Sequence, residues 1–130
     1  MSQQMSAGAV DLTFKASGDL SSKQYYFVKL DADGKVEACG ANGVSIGILQ
    51  NAPDAEDKAA RVRVLGTSKL VMNDAVDEGE AITSTADGDG EVVDAADEYF
   101  GAIALEAATA QDDIIEVLIT HAYSPVSHAT

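Results

Sequence analysis

The sequence predicts an all-β fold: a small barrel or sandwich built from two repeated β units, preceded by an extended N-terminal arm. Three observations predict it. Apolar residues fall in short runs at strand spacing, as in Arg61-Val62-Arg63-Val64, rather than at helical spacing. Asp- and Gly-rich turns separate the runs. The same order of runs and turns occurs twice.

Each element follows from local chemistry. Residues 25–30 read as a strand, and Asp31-Ala32-Asp33-Gly34 as a turn, because Asp tolerates a left-handed backbone and Gly needs no Cβ clearance. Residues 36–38 return, residues 45–50 form a short apolar strand, and residues 51–58 form an acidic loop carrying Pro53. In Arg61-Val62-Arg63-Val64 the valines face a core and the arginines face out. Gly66 allows a kink, residues 69–72 continue that strand, and residues 73–79 form a turn-rich link. The second half runs through a strand at 80–83, the turn Ala86-Asp87-Gly88-Asp89-Gly90, a return at 91–93, a strand at 99–105, an acidic Ala-rich loop at 106–113 and a long last strand at 114–121.

Ile46-Gly47-Ile48-Leu49 parallels Phe100-Gly101-Ala102-Ile103, and Val62-Arg63-Val64-Leu65 parallels Ile115-Glu116-Val117-Leu118. The units are about 24–72 and 78–121, within one β domain at 24–123, followed by a polar tail at 124–130. Two such units are too few for a solenoid and too small to stand alone, so they share one core. Along the last strand Ile115, Val117 and Ile119 point one way, and Ile114, Leu118 and Thr120 the other. Either this strand lies between two layers, or Ile114 and Leu118 face another subunit.

Residues 1–23 are rich in Ser, Gln, Ala and Gly, with scattered Met5, Val10, Leu12, Phe14 and Leu20. Asp11-Leu12-Thr13-Phe14-Lys15 alternates well enough to add a strand to another surface, which reads as an arm that orders on a partner, the alternative being a frayed terminus without a role. The candidate contacts of that arm are Val10, Leu12, Phe14, Lys15, Leu20 and Lys23.

Composition narrows function. The 130 residues carry 22 acidic and 8 basic side chains, a formal charge of -14. That argues against nucleic acid, whose phosphates need clustered Lys and Arg, and against anionic lipid. No apolar run approaches the ~18 residues of a membrane span. Met1-Ser2-Gln3-Gln4 lacks a basic segment and an apolar stretch, so no secretory signal is expected. All the bases lie in residues 1–69, which balance to zero, so the acidic excess sits entirely in residues 70–130. The excess reads either as a charged surface that keeps the protein soluble, or as a two-faced molecule with one face neutral and available for docking and the other acidic and left in solvent.

No chemistry-bearing motif stands out. Asp87-Gly88-Asp89-Gly90-Glu91 begins like a calcium loop, but Val92 stands where the loop needs Gly, and the neighbours are strands. His121 and His128 are the only histidines, too few for zinc without further ligands. Cys39, the single cysteine, allows no intrachain disulfide and has no nearby base in sequence to activate it. Gly34, Gly40, Gly43 and Gly47 are not in phosphate-binding order. The expectation is a protein without catalytic residues, cofactor or metal.

The order Val28-Lys29-Leu30-Asp31-Ala32-Asp33-Gly34-Lys35-Val36, Ala60-Arg61-Val62-Arg63-Val64-Leu65-Gly66, Glu78-Gly79-Glu80-Ala81-Ile82-Thr83-Ser84 and Phe100-Gly101-Ala102-Ile103-Ala104-Leu105-Glu106 resembles the small, duplicated, β-rich capsid decoration (cement) proteins of tailed bacteriophages. The likeness covers about residues 24–121. It implies a structural virion protein, made in the host cytoplasm, that binds the major capsid protein on the outside of the head as a homo-oligomer, commonly a trimer, and clamps neighbouring capsomers. It also implies an N-terminal arm lying along the capsid. An alternative starts from Val76-Asp77-Glu78-Gly79-Glu80-Ala81-Ile82-Thr83, which resembles a segment of β-clip modules and implies binding of a small ligand or carbohydrate.

Overall fold

The computed structural model describes residues 8–94 and 98–123, which form strands joined by turns and loops. In chain order the strands are β1 (Val10–Lys15), β2 (Phe27–Leu30), β3 (Val36–Ala38), β4 (Gly47–Leu49), β5 (Ala59–Leu65), β6 (Thr67–Val71), β7 (Ala81–Ser84), β8 (Gly90–Val92), β9 (Tyr99–Ala104) and β10 (Ile114–Tyr123). They make two five-stranded antiparallel sheets, ordered β1-β5-β4-β2-β3 and β6-β10-β9-β7-β8, which pack as a sandwich. The second order is the first with every strand advanced by one unit. The fold class predicted from the sequence is therefore the observed one, in its sandwich form.

The duplication extends to single backbone contacts. Tyr25 N–H donates to Leu49 O at 2.7 Å and Gly79 N–H to Ala104 O at 2.8 Å. Leu20 N–H donates to Pro53 O and Val76 N–H to Ala108 O. Left-handed backbone recurs at matching places: Gly34 (φ 78°) with Gly88 (φ 100°), and Asp57 (φ 71°) with Asp112 (φ 70°). Parallel bridges, Ala16 with Val36 and Met72 with Gly90, draw the first strand of each unit across to its third and curl each sheet toward closure.

Alternation explains the burial. In β5 Ala60 and Val62 are buried while Ala59 and Arg61 are exposed. The first sheet is apolar on both faces. On one, Val28, Val36, Leu49 and Val62 pack with Ala16 and Leu20. On the other, Phe27 and Ile48 join Leu70, Ile82, Ala102 and Val117 of the second sheet. Glycine makes the close approach possible at Gly101, where a Cβ would stand 2.8 Å from the Phe27 ring and 2.6 Å from Ser45 Oγ.

Four expectations change. Val10–Lys15 is not part of an arm awaiting a partner: it pairs along its length with β5 of its own chain, from Val10 opposite Leu65 to Lys15 opposite Ala59. Its alternating pattern found the nearest open edge, that of β5. The segment after it is also part of the unit, for Leu20 is 6% exposed. Second, residues 69–72 do not continue the preceding strand. Gly66, with φ 99°, turns the chain, and β6 enters the other sheet beside β10.

The units consequently run from β1 to β5 and from β6 to β10, meeting at Gly66, rather than spanning 24–72 and 78–121. Third, the pairings align Val62 with Val117, not Ile115, since Leu49 faces Val62 and Ala104 faces Val117. Ile48 likewise aligns with Ile103, not Ala102. The slip at Val62 is two residues and preserves alternation, so sequence pattern alone could not detect it, whereas the slip at Ile48 is one residue and changes the face assigned to it. Fourth, β10 lies inside its sheet between β6 and β9, but Ile114 and Leu118 are 53% and 40% exposed, so their face does not lie between two layers. The polar tail at 124–130 lies outside the described residues.

Candidate interaction surfaces

Two transverse rows, one per unit, define the surfaces of interest. In the first unit Asp11, Arg63, Ile48 and Phe27 stand opposite one another across β1, β5, β4 and β2. In the second the matching row is Thr67, Leu118, Ile103 and Ala81 across β6, β10, β9 and β7. The first row is internal: Phe27 and Ile48 are buried against the second sheet. The second row faces out, with Leu118 exposed and Ile103 and Ala81 half-buried. Ile114 and Leu105 (37% exposed) extend it into an apolar face beside Glu116 and Lys69, which stand opposite each other.

Three further exposed apolar groups lie on or beside β1, while Leu30 and Val44, 40% and 53% exposed, stand at the end of β2 and in the loop before β4. Val10 and Leu65 face each other and are 39% and 52% exposed, and Leu12 is 46% exposed. Phe14 is half-buried against the Val62 cluster, and Lys15 is exposed. Among the expected arm residues, Val10, Leu12 and Lys15 are therefore accessible from one strand. Leu20 is internal, and Lys23 is occupied: its Nζ donates to Asp87 O at 3.0 Å and lies 4.8 Å from the centre of the Tyr26 ring. Ile114 and Leu118, expected as one surface, do share a face.

Charge frames these surfaces. Arg63 Nε and Nη2 donate to the two carboxylate oxygens of Asp11 at 2.7 and 3.2 Å, and Arg61 Nε lies 3.4 Å from the same carboxylate. The Arg63 hydrogen bond holds the Asp11 carboxyl below its ordinary range, against a smaller opposing effect of burial. In the second unit Glu91 is pushed up, first by burial and then by Asp94, Glu98, Asp89 and Asp74. Buried Asp89 is held by the Thr85 hydroxyl.

Sequence reasoning missed the clasp between units. The Tyr99 hydroxyl donates to Ser45 O at 2.9 Å and lies 3.1 Å from His121 Nδ1, while His121 Nε2 donates to Val64 O at 2.9 Å. Both acceptors belong to the first unit and both side chains to the second. No local pattern marks such a pairing, because it joins positions 54 and 57 residues apart. Gln50 adds a buried bond, its Nε2 donating to Ser68 Oγ at 2.9 Å.

Cys39 is buried and its thiol is pushed up chiefly by that burial, which suppresses the reactive thiolate. Among the described residues no three His, Cys, Asp or Glu side chains are placed to hold a metal ion. The turn around Asp87 and Asp89 instead uses its polar atoms internally, Asp87 N–H donating to Thr85 Oγ1.

No family model matches the chain, and no curated protein matches it in sequence. Among solved structures it is similar to the N base of the head fibre protein gp8.5 of bacteriophage phi29, with a TM-score of 0.67 and 14% identity over 88% of this chain and 97% of that one. At that identity the likeness is one of fold.

Proposed function

We propose that this chain is a structural component of a phage particle: a decoration protein that binds the major capsid protein on the outer surface of the head, stabilises capsomer contacts as a homotrimer, and carries out no catalysis. The observation that carries the reading is the near end-to-end fold likeness to the base of a phage head fibre. A base is the part of a fibre that meets what the fibre stands on.

The charge distribution supports an orientation. The first unit carries nearly all the bases and the second nearly all the excess acid. We place the first unit toward the shell and the second toward solvent, where a negative surface keeps particles apart. Within the expected capsid-contacting segment, Val10 and Lys15 are accessible for that contact. Several weak contacts per oligomer sum to a firm one through effective concentration.

The test mixes purified protein with undecorated phage heads, followed by sedimentation and imaging. Co-sedimentation with regularly spaced density on the shell is the expected result. Heads that remain bare at saturating protein overturn the reading.

A further inference from the structure

We infer that the protein self-associates head to tail, with β1 of one copy seated on the outer face of the second unit of the next, in the place that β6 takes on the first unit within the chain. This deepens the proposed function and rests on its oligomer, not on the capsid.

The intramolecular junction is the template. There hydrogen bonds tie β6 to the first unit: Val71 N–H donates to Tyr25 O at 2.9 Å, Gln50 Nε2 to Ser68 Oγ at 2.9 Å, and Arg63 Nη1 to Thr67 O at 3.2 Å. Strand registers give the counterpart of every group. Tyr25 corresponds to Gly79, as their matching hydrogen bonds to Leu49 and Ala104 demonstrate. Gln50 corresponds to Leu105: Gln50 N–H donates to Arg61 O and Leu105 N–H to Glu116 O. Arg63 corresponds to Leu118, and on the other side Ser68 corresponds to Leu12.

Carried one unit along, the polar Gln50–Ser68 contact becomes Leu105 against Leu12 of a second copy, and the place of Arg63 is taken by Leu118. The residues that the repeat leaves without a neighbour at its two ends are thus apolar and exposed: Leu105 at 37%, Leu118 at 40% and Leu12 at 46%. Inside the chain the same positions hold Gln50, Arg63 and Ser68. Exposed apolar groups at both vacant halves of one junction are what a head-to-tail contact requires.

Charge selects the same arrangement. Residues 67–130 hold fourteen acidic residues and one basic residue, whereas residues 1–66 hold eight and seven. A symmetric contact between two second units would set like charges face to face, while head-to-tail docking sets the acidic unit against the neutral one. A head-to-tail contact that closes gives a ring, and a three-membered ring is the trimer proposed above.

The test works on the isolated full chain, without capsid, so its outcome is separate from head binding. Light scattering across a concentration series should give a multiple of the chain mass. Leu118→Asp and Leu12→Asp should each give monomers that keep the native β circular-dichroism signature, since both sites are exposed. Leu12→Cys and Leu105→Cys variants, unfolded and refolded together and then oxidised, should form a disulfide-linked pair that neither forms alone. A wild-type chain that stays monomeric at its highest soluble concentration overturns the inference. So does an oligomer that survives both Asp variants, or Leu105→Cys cross-linking to itself.

Discussion

Tyr25 and Gly79 occupy the same left-handed position in the two units, with φ of 67° and 86°. Each N–H reaches the carbonyl that ends the matching strand, Leu49 in one unit and Ala104 in the other. The first unit places a tyrosine in a conformation that favours glycine. Its ring packs against the core between the sheets, and Lys69 Nζ lies 5.8 Å from the ring centre. That burial offsets the backbone cost, whereas Gly79 simply avoids it.

Gly79→Ala should therefore destabilise the fold by about 1 kcal/mol through backbone strain alone, because a Cβ there meets nothing within 4 Å. Chemical denaturation would read the loss as a lower midpoint with an unchanged slope.

Tyr99→Phe should cost about 1–2 kcal/mol, the price of leaving the buried end of a hydrogen bond unmade. The hydroxyl ties the second unit to Ser45 of the first, so the variant should also speed amide exchange at Ile46 and its neighbours. A midpoint matching the native one would remove the clasp from the stability of the junction.

Asp11 gives the fold an acid-sensitive contact. Its folded pKa is lowered by Arg63, so the ion pair stabilises the folded state above the unfolded carboxyl range. That contribution is lost as pH falls through the lowered folded value. The pair is partly solvated, which limits it to about 1 kcal/mol. Asp11→Asn should lower the thermal midpoint at neutral pH, and the gap should close as acid titrates the native carboxylate.

Glu91 should behave in the opposite sense. Its folded pKa is raised by burial and by surrounding carboxylates, so ionisation opposes folding. The native chain gains stability from this site as pH drops through the raised value. Glu91→Gln should raise the thermal midpoint at neutral pH, with the advantage shrinking as pH falls through that value and gone below the ordinary carboxyl range. An unchanged or lower midpoint at neutral pH would contradict the assignment.

Much of the fold was legible in local pattern. The strand at Arg61-Val62-Arg63-Val64 was visible because one buried face imposes a period of two. The turns at Gly34 and Gly88 were visible because a left-handed backbone leaves a residue signature. Tyr25 hid its turn, so the strand was expected to start there rather than at Phe27. Of the candidate surfaces, Ile114 and Leu118 could be paired from alternation alone. Leu105 could not, since its exposure depends on where β9 ends and on its place beside β10.

By itself the sequence determined that the chain is all β, that it is built twice over, and that its acid lies in one half, because strand period, turn chemistry and charge are properties of neighbours along the chain. Tertiary structure decided where one unit ends and the next begins, which strand β1 pairs with, and which of two equivalent rows is buried. Those outcomes depend on which edge and which face are left open once the other strands have packed, and that competition is settled between residues far apart in the chain.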